Sequence, residues 1–342
     1  MTPTADFRIG RTIKRGLVAV AVLTTAAAGA VLAPESSLGS TVPEASAAIS
    51  CDTAKGGKKF YAGDDSSRTY NNTFSRGRSI NHYLSNYVPQ GLGYWRNWRG
   101  STDILVVGMH HEDENAHHSL VYGLNASGKR VGSAYLPVGA HAGSVKIHKK
   151  WMYVQQNNDM IRRYNLSYLR KKFRQPGIPK LGPGQPIRIS RVDVSFFDIY
   201  RGRLYAGNFD SESRSTMVRY KITKRGGLKA DRRWGSVQVP KKSQGLNVTA
   251  KTFYFSTSSG RNNRSNIYVI RRGYGDDIEN RRYRCFRAPV LSQDIERVGG
   301  RLMLSFEGGA EHFDGNWPWT TADNKIKSLH RARVSTLHDL VW

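Results

Sequence analysis

The 342-residue sequence predicts an all-β fold, a five-bladed β-propeller that follows a cleaved export signal. Three observations carry this. Short strand-like runs recur roughly every fifty residues, the repeat length of propeller blades. Each run follows another short apolar run at a fixed offset, as the two arms of a hairpin would. Helical periodicity is nearly absent beyond the first residues.

The chain opens with Arg8, Arg11, Lys14 and Arg15, then an Ala/Val-rich run over 16–33, then the small residues Ala45-Ser46-Ala47. That is the pattern of a secretory signal peptide over residues 1–47. A retained membrane anchor is the alternative, but alanine inserts weakly, which favours cleavage. The expected protein is therefore secreted and extracellular, with no membrane contact after cleavage. Export permits a disulfide. Cys51 and Cys285 are the only cysteines, so one bridge is expected, against two free thiols. Closing so long a loop would contribute on the order of 5 kcal/mol.

Residues 48–88 read as a lead segment and 89–342 as the propeller. The repeated second strands are Ile104–Val107, Trp151–Val154, Arg203–Ala206, Thr252–Phe255 and Arg301–Leu304. Eight positions before Tyr153, Tyr205, Tyr254 and Met303 lie Val145, Phe197, Leu246 and Ile295, the first strands. Gln90-Gly91-Leu92 opens the first unit. Third strands follow polar loops, as at Ser119–Tyr122 and Met217–Tyr220. Five units result, or six if 58–88 formed a degenerate blade. The lead segment near Phe60-Tyr61 is expected to complete the last blade and remove a free edge. Cys285 falls on the outer strand of the fourth unit, and Cys51 would reach it if the N-terminus pairs with the last blade.

Charge narrows the partner. Lys+Arg number 53 against 26 Asp+Glu, a net charge of +27. The signal removes little of it, so the surplus belongs to the folded chain and calls for an anionic extracellular polymer or glycan. No nucleic-acid fold signature is present, so sequence-specific reading of nucleic acid is not expected. No cofactor is implied: there is no Gly-rich phosphate loop, nucleophile elbow, zinc-protease helix or CxxC. The chain is expected to be a monomer.

A repeat imposes equivalent packing, so polar residues that break it are candidates for function. Glu307 leaves an apolar strand, and Asp294 and His141 could face it across the central opening. Two carboxylates and an imidazole would serve acid/base chemistry, unless Glu307 pairs with an Arg. Gln90, Gln244 and Gln293 stand at equivalent positions. Arg261, Asn262 and Asn263 are side chains that grip carboxylates and sugar hydroxyls. Trp317 and Trp319 could stack on sugar rings or anchor their loop. His110, His111 and Glu112 open an imidazole- and acid-rich loop that could hold a metal, though at no standard spacing; a solvated loop is the alternative.

Four segments resemble a family of secreted bacterial propeller-like proteins without assigned activity: Pro89–Leu92, His141–Gly143, Ser259–Ser265 and Ser305–Ala310. The wider group of five-bladed propellers includes arabinanase-like glycosidases, whose carboxylates sit at the central opening. That likeness implies a catalytic use of Glu307 and Asp294. In gross features the chain is also similar to the actinomycete extracellular sporulation factors, the Factor C group, which implies developmental signalling. Two functions follow: a secreted binding propeller for an anionic polymer or glycan, and a glycosidase or polysaccharide lyase acting at the central opening. A metal-assisted hydrolase is a third.

Overall fold

The computed structural model describes residues 50–57, 66–113, 115–273, 278, 281–315 and 321–342. The expected signal over 1–47 and the Phe60-Tyr61 pair lie outside them. Among the described residues no helix is long and apolar enough to cross a membrane.

A short helix α1 (Arg68–Thr73) leads into β1 (Phe74–Ser79). Blade one is β2 (Tyr87–Arg99), β3 (Thr102–His111), β4 (His118–Leu124) and β5 (Arg130–Val138). Blade two is β6 (Val145–His148), β7 (Trp151–Asn157), β8 (Met160–Asn165) and β9 (Gln185–Arg188), with α2 (Leu166–Phe173) before its last strand. Blade three is β10 (Phe196–Tyr200), β11 (Arg203–Gly207) and β12 (Ser215–Ile222), with β13 (Leu228–Ala230) and β14 (Ser236–Val239) sharing its outer edge. Blade four is β15 (Ser243–Val248), β16 (Thr252–Thr257), β17 (Ser265–Arg271) and β18 (Tyr283–Ala288). Blade five is β19 (Ser292–Val298), β20 (Arg301–Phe306) and β21 (Ser328–Arg333), closed by β1; α3 (Val334–His338) follows. The fold is a five-bladed β-propeller.

The period of two explains why these strands stack as blades. In β3, Ile104 and Val106 pack toward blade two, while Leu105 and Val107 pack toward blade five. In β7, Met152 and Val154 face blade one and Tyr153 faces blade three. The same alternation holds for Tyr205 against Leu204, Tyr254 against Phe253 and Met303 against Leu302. Each second strand is thus apolar on both faces and needs a neighbour on each side, which a closed ring supplies.

Ring closure uses other residues than the sequence predicts. The outer strand of blade five is Phe74–Ser79, with Phe74 opposite Ala332 and Ser75 opposite Arg331. Cys51 is bonded to Cys285. It reaches β18 through a parallel bridge, Asp52 to Phe286, so the segment around Cys51 pairs with blade four. Ser67 N then donates to Arg287 O at 3.0 Å before α1 turns the chain onto blade five. The lead segment straps the two blades, and the disulfide anchors it at Cys51.

Helix α2 was not expected. Its signal is short: Leu166, Leu169 and Phe173 are buried on one side, and the Asn165 side chain accepts from Ser167 N at 2.8 Å as an N-cap. The helix covers Trp95 and Trp98 of the long β2 hairpin.

Candidate functional site

First strands begin on one face, here the entry face, and end at tight turns on the other, the hairpin face. The β2, β6, β10, β15 and β19 starts therefore surround one end of a central channel. Neighbouring backbones come close there. A Cβ on Gly245 would lie 2.5 Å from Gln293 O, and one on Gly91 2.6 Å from Ala142 O. Glycine at these positions is a packing requirement.

The entry end opens into a cavity of about 810 Å³. Its lining is amide-rich: Gln90, Gln155, Gln156, Asn157, Asn158 and Gln244, with His141 and Asp159. Gln155 is 2% exposed; its Nε2 donates to Val194 O at 2.6 Å. Its Oε1 is buried and, among the described residues, has no hydrogen-bond partner. The Gln156 amide is fixed by Val138 O and by Arg162 Nε at 2.8 Å. Gln90 donates from Nε2 to Glu307 Oε1. Among the described residues Glu307 makes this amide contact rather than the alternative Arg pair. The glycines after Glu307 serve the chain itself: a Cβ on Gly308 would lie 2.5 Å from Asn324 O.

Gln90, Gln244 and His141 thus meet at one cavity, and Glu307 joins through Gln90. Gln293 is buried in β19. His141 stands 4.9 Å from the His110 ring, centroid to centroid. His111 stacks on His117 at 4.3 Å, and Glu112 lies 3.7 Å from His312. Among the described residues no three His, Cys, Asp or Glu side chains converge as metal ligands would. Arg261, Asn262 and Asn263 are not among the cavity's described lining residues. Their loop faces the 321–324 segment, where Asp323 N donates to Arg261 O and Arg264 pairs with Asp323 at 3.2 Å. Trp317 and Trp319 lie outside the described residues.

Asp294 is placed one layer deeper, in a cluster the sequence reading missed. Lys146 Nζ lies 2.9 Å from Asp294 Oδ2 and 3.0 Å from Glu296 Oε2, and donates to Leu92 O and Ile295 O, each at 3.1 Å. One ammonium from blade two thus ties blades one and five across the channel. Asp294 also accepts from Leu92 N at 2.8 Å. Asp198 of blade three accepts from Val248 N of blade four at 2.6 Å. Burial pushes the Asp294 carboxyl up to about 7 and Glu296 up to about 8, against the pull of Lys146 on both. Burial opposes the Lys146 charge, but Asp294, Glu296 and Asp198 outweigh it and hold its pKa above the ordinary lysine value. The cluster crosses the channel between its two ends.

Below it, the hairpin end opens into a second cavity of about 430 Å³. Tyr94, Tyr200 and Asn247 line it, with Asp198 and Glu296, and Arg96, Lys149 and Arg297 beside them.

No family model and no curated protein matches this chain. Among solved structures, it is similar to Myxococcus xanthus glutaminyl cyclase at 12% identity and a TM-score of 0.43, over 76% of this chain and 95% of that one. It is also similar to an S. cerevisiae assembly of Dbp5 with Nup159 and Gle1, at 9% identity and a TM-score of 0.35, over 68% and 75% of the two chains. A designed protein, Ika8, follows at 8% identity and a TM-score of 0.30, over 68% and 72%. At these values the activity named for the first is not carried over.

Proposed function

We propose that the protein is an extracellular binding propeller whose entry cavity takes a hydroxyl-rich ligand, a glycan. The observation that carries this is the amide lining, and above all Gln155, whose buried Oε1 has no hydrogen-bond partner among the described residues. Amides offer donors and acceptors in fixed directions, which suits sugar hydroxyls better than a single charge. Catalysis is less supported. Glycoside hydrolysis uses two carboxylates flanking the bond. Glu307 is held by Gln90, and Asp294 is committed to Lys146. Extracellular developmental signalling, implied by the resemblance to sporulation factors, would act through this binding.

A glycan-array screen with parallel detection of cleaved products tests the proposal. The expected outcome is a retained glycan, with no released product, and affinity about tenfold weaker in Gln155→Leu, the loss of one or two hydrogen bonds. Turnover abolished by Glu307→Gln would replace binding with catalysis. Absence of any bound glycan would sink the proposal.

A further inference from the structure

The hairpin end of the channel has a chemistry of its own. The turns joining first to second strands carry Arg99, Lys149, Lys150, Arg201, Lys251 and Arg301, all exposed. Asp103, just after the blade-one turn, is held by the chain itself, accepting from Asn97 N at 2.9 Å and from the Tyr94 hydroxyl. Entry-face loops differ, because acids and bases pair within them: Asp159 with Arg188, Asp323 with Arg264 and Asp314 with Lys325.

Two of the turn cations sit where the fold would favour another residue. Lys149 has φ 53° and Arg201 has φ 48°, in the left-handed region that glycine and asparagine adopt most readily. Local backbone preference does not account for a long cationic side chain at either position. Residues that break a local rule are expected at functional sites.

The cavity between these turns is shaped for more than charge. Its 430 Å³ suits a small ligand of one or two sugar rings. Tyr94 and Tyr200 offer aromatic walls, with Arg96 5.6 Å from the centre of the Tyr94 ring and Arg201 5.5 Å from that of Tyr200. Asn247 is 4% exposed, and its Oδ1 has no partner among the described residues. It gives the cavity an open hydrogen-bond acceptor beside Glu296, which Lys146 holds, and Asp198, which holds Val248 N. Acceptors take sugar hydroxyls, aromatic rings take the apolar faces of pyranoses, and guanidinium groups take a carboxylate bidentately.

We infer that the hairpin-end cavity binds an acidic sugar unit, and that the surrounding basic turns hold the neighbouring units of an anionic polysaccharide. Duplex DNA or an anionic membrane would meet the turns but leave the acceptors and aromatic walls without a partner. This site is separate from the entry cavity and does not depend on the ligand proposed there.

The test is calorimetric titration of the full chain with trigalacturonate, a linear acidic trisaccharide, against a neutral galactose trisaccharide. Trigalacturonate should bind at least about tenfold more tightly, since its carboxylates make charge-assisted hydrogen bonds that the neutral sugar cannot. Its affinity should fall with added salt. Lys149→Asn combined with Arg297→Gln should weaken it about tenfold or more. Asparagine suits the left-handed position, so an unchanged or raised melting temperature in Lys149→Asn separates lost binding from lost folding. Gln155→Leu should leave trigalacturonate binding intact while weakening an entry-cavity ligand, so the two proposals fail separately. Unchanged affinity in the double variant, equal affinity for the neutral sugar, or tighter binding per charge to duplex DNA or phosphatidylglycerol vesicles would overturn the inference.

Discussion

The two ends of the central channel are built from the same strands and differ in almost every side chain. The entry end is lined by amides, with acids and bases paired in its outer loops. The hairpin end carries exposed, acid-poor basic turns over a cavity with acceptors and tyrosines. Between them lies one buried ammonium holding two carboxylates. The difference teaches where a repeat protein keeps its individuality. Faces that pack blade on blade must stay alike, while the channel-lining positions of each first strand are free to diverge.

The largest expected effect comes from the group between the ends. Lys146→Met leaves Asp294 and Glu296 buried without their cation, a loss of about 3–5 kcal/mol. Thermal unfolding should show a fall of roughly 10 °C. The loss should be greater at pH 9 than at pH 5, where the carboxyls can protonate. A melting temperature within a degree of the parent would mean that the cluster does not organise the channel.

Reduction of Cys51–Cys285 comes next, at about 2–5 kcal/mol. Because the bridge pins the lead segment to blade four, hydrogen exchange should rise first in Phe74–Ser79 and β18. Uniform exchange across all blades would contradict the strap.

The pH dependence of the parent is smaller and has a defined sign. Asp294 and Glu296 have folded pKa values raised to about 7 and about 8, above their ordinary values of 3.8 and 4.5. Their contribution is full below the ordinary values and is lost progressively as pH rises to the folded ones, so the melting temperature should fall up to about pH 8, most plainly between pH 6.5 and 8 where His330 no longer titrates, and level off above. His330 acts in the opposite direction. Burial holds it down to about 3, so its contribution is present above its ordinary 6.5 and lost as pH falls below that. A flat profile from pH 6.5 to 9 would show that the buried carboxylates are fully compensated.

The smallest effect is the most selective. Arg201→Asn should leave stability unchanged or raise it by up to about 1 kcal/mol, since asparagine tolerates the left-handed backbone better. Binding at the hairpin end should weaken while the entry cavity is untouched. A clear loss of stability would show that Arg201 serves the fold.

The blades were legible in the sequence because their requirement is periodic. Tyr153, Tyr205, Tyr254 and Met303 repeat since each must fill the next inter-blade space. Gln90 and Gln244, at equivalent positions of the repeat, and His141, singled out as a polar position beside them, line one cavity. Lys146 was not legible, although a signal existed. The residues directly after the aligned apolar positions are Gly93, Lys146, Asp198, Asn247 and Glu296, a polar set in otherwise buried strands. Comparing that column would have moved Asp294 from catalysis to the cluster. Closure by Phe74–Ser79 was harder to read, because an edge strand of Ser, Arg and Gly has no apolar pattern and is specified only by its partner.

The central claim is that the two ends recognise different chemistry, and a crystal structure with trigalacturonate tests it most directly. The sugar should lie at the hairpin end, its carboxylates on Arg96, Lys149 or Arg297 and a hydroxyl on Asn247 Oδ1. Density beside Gln155 in the entry cavity, with the hairpin end empty, would contradict it.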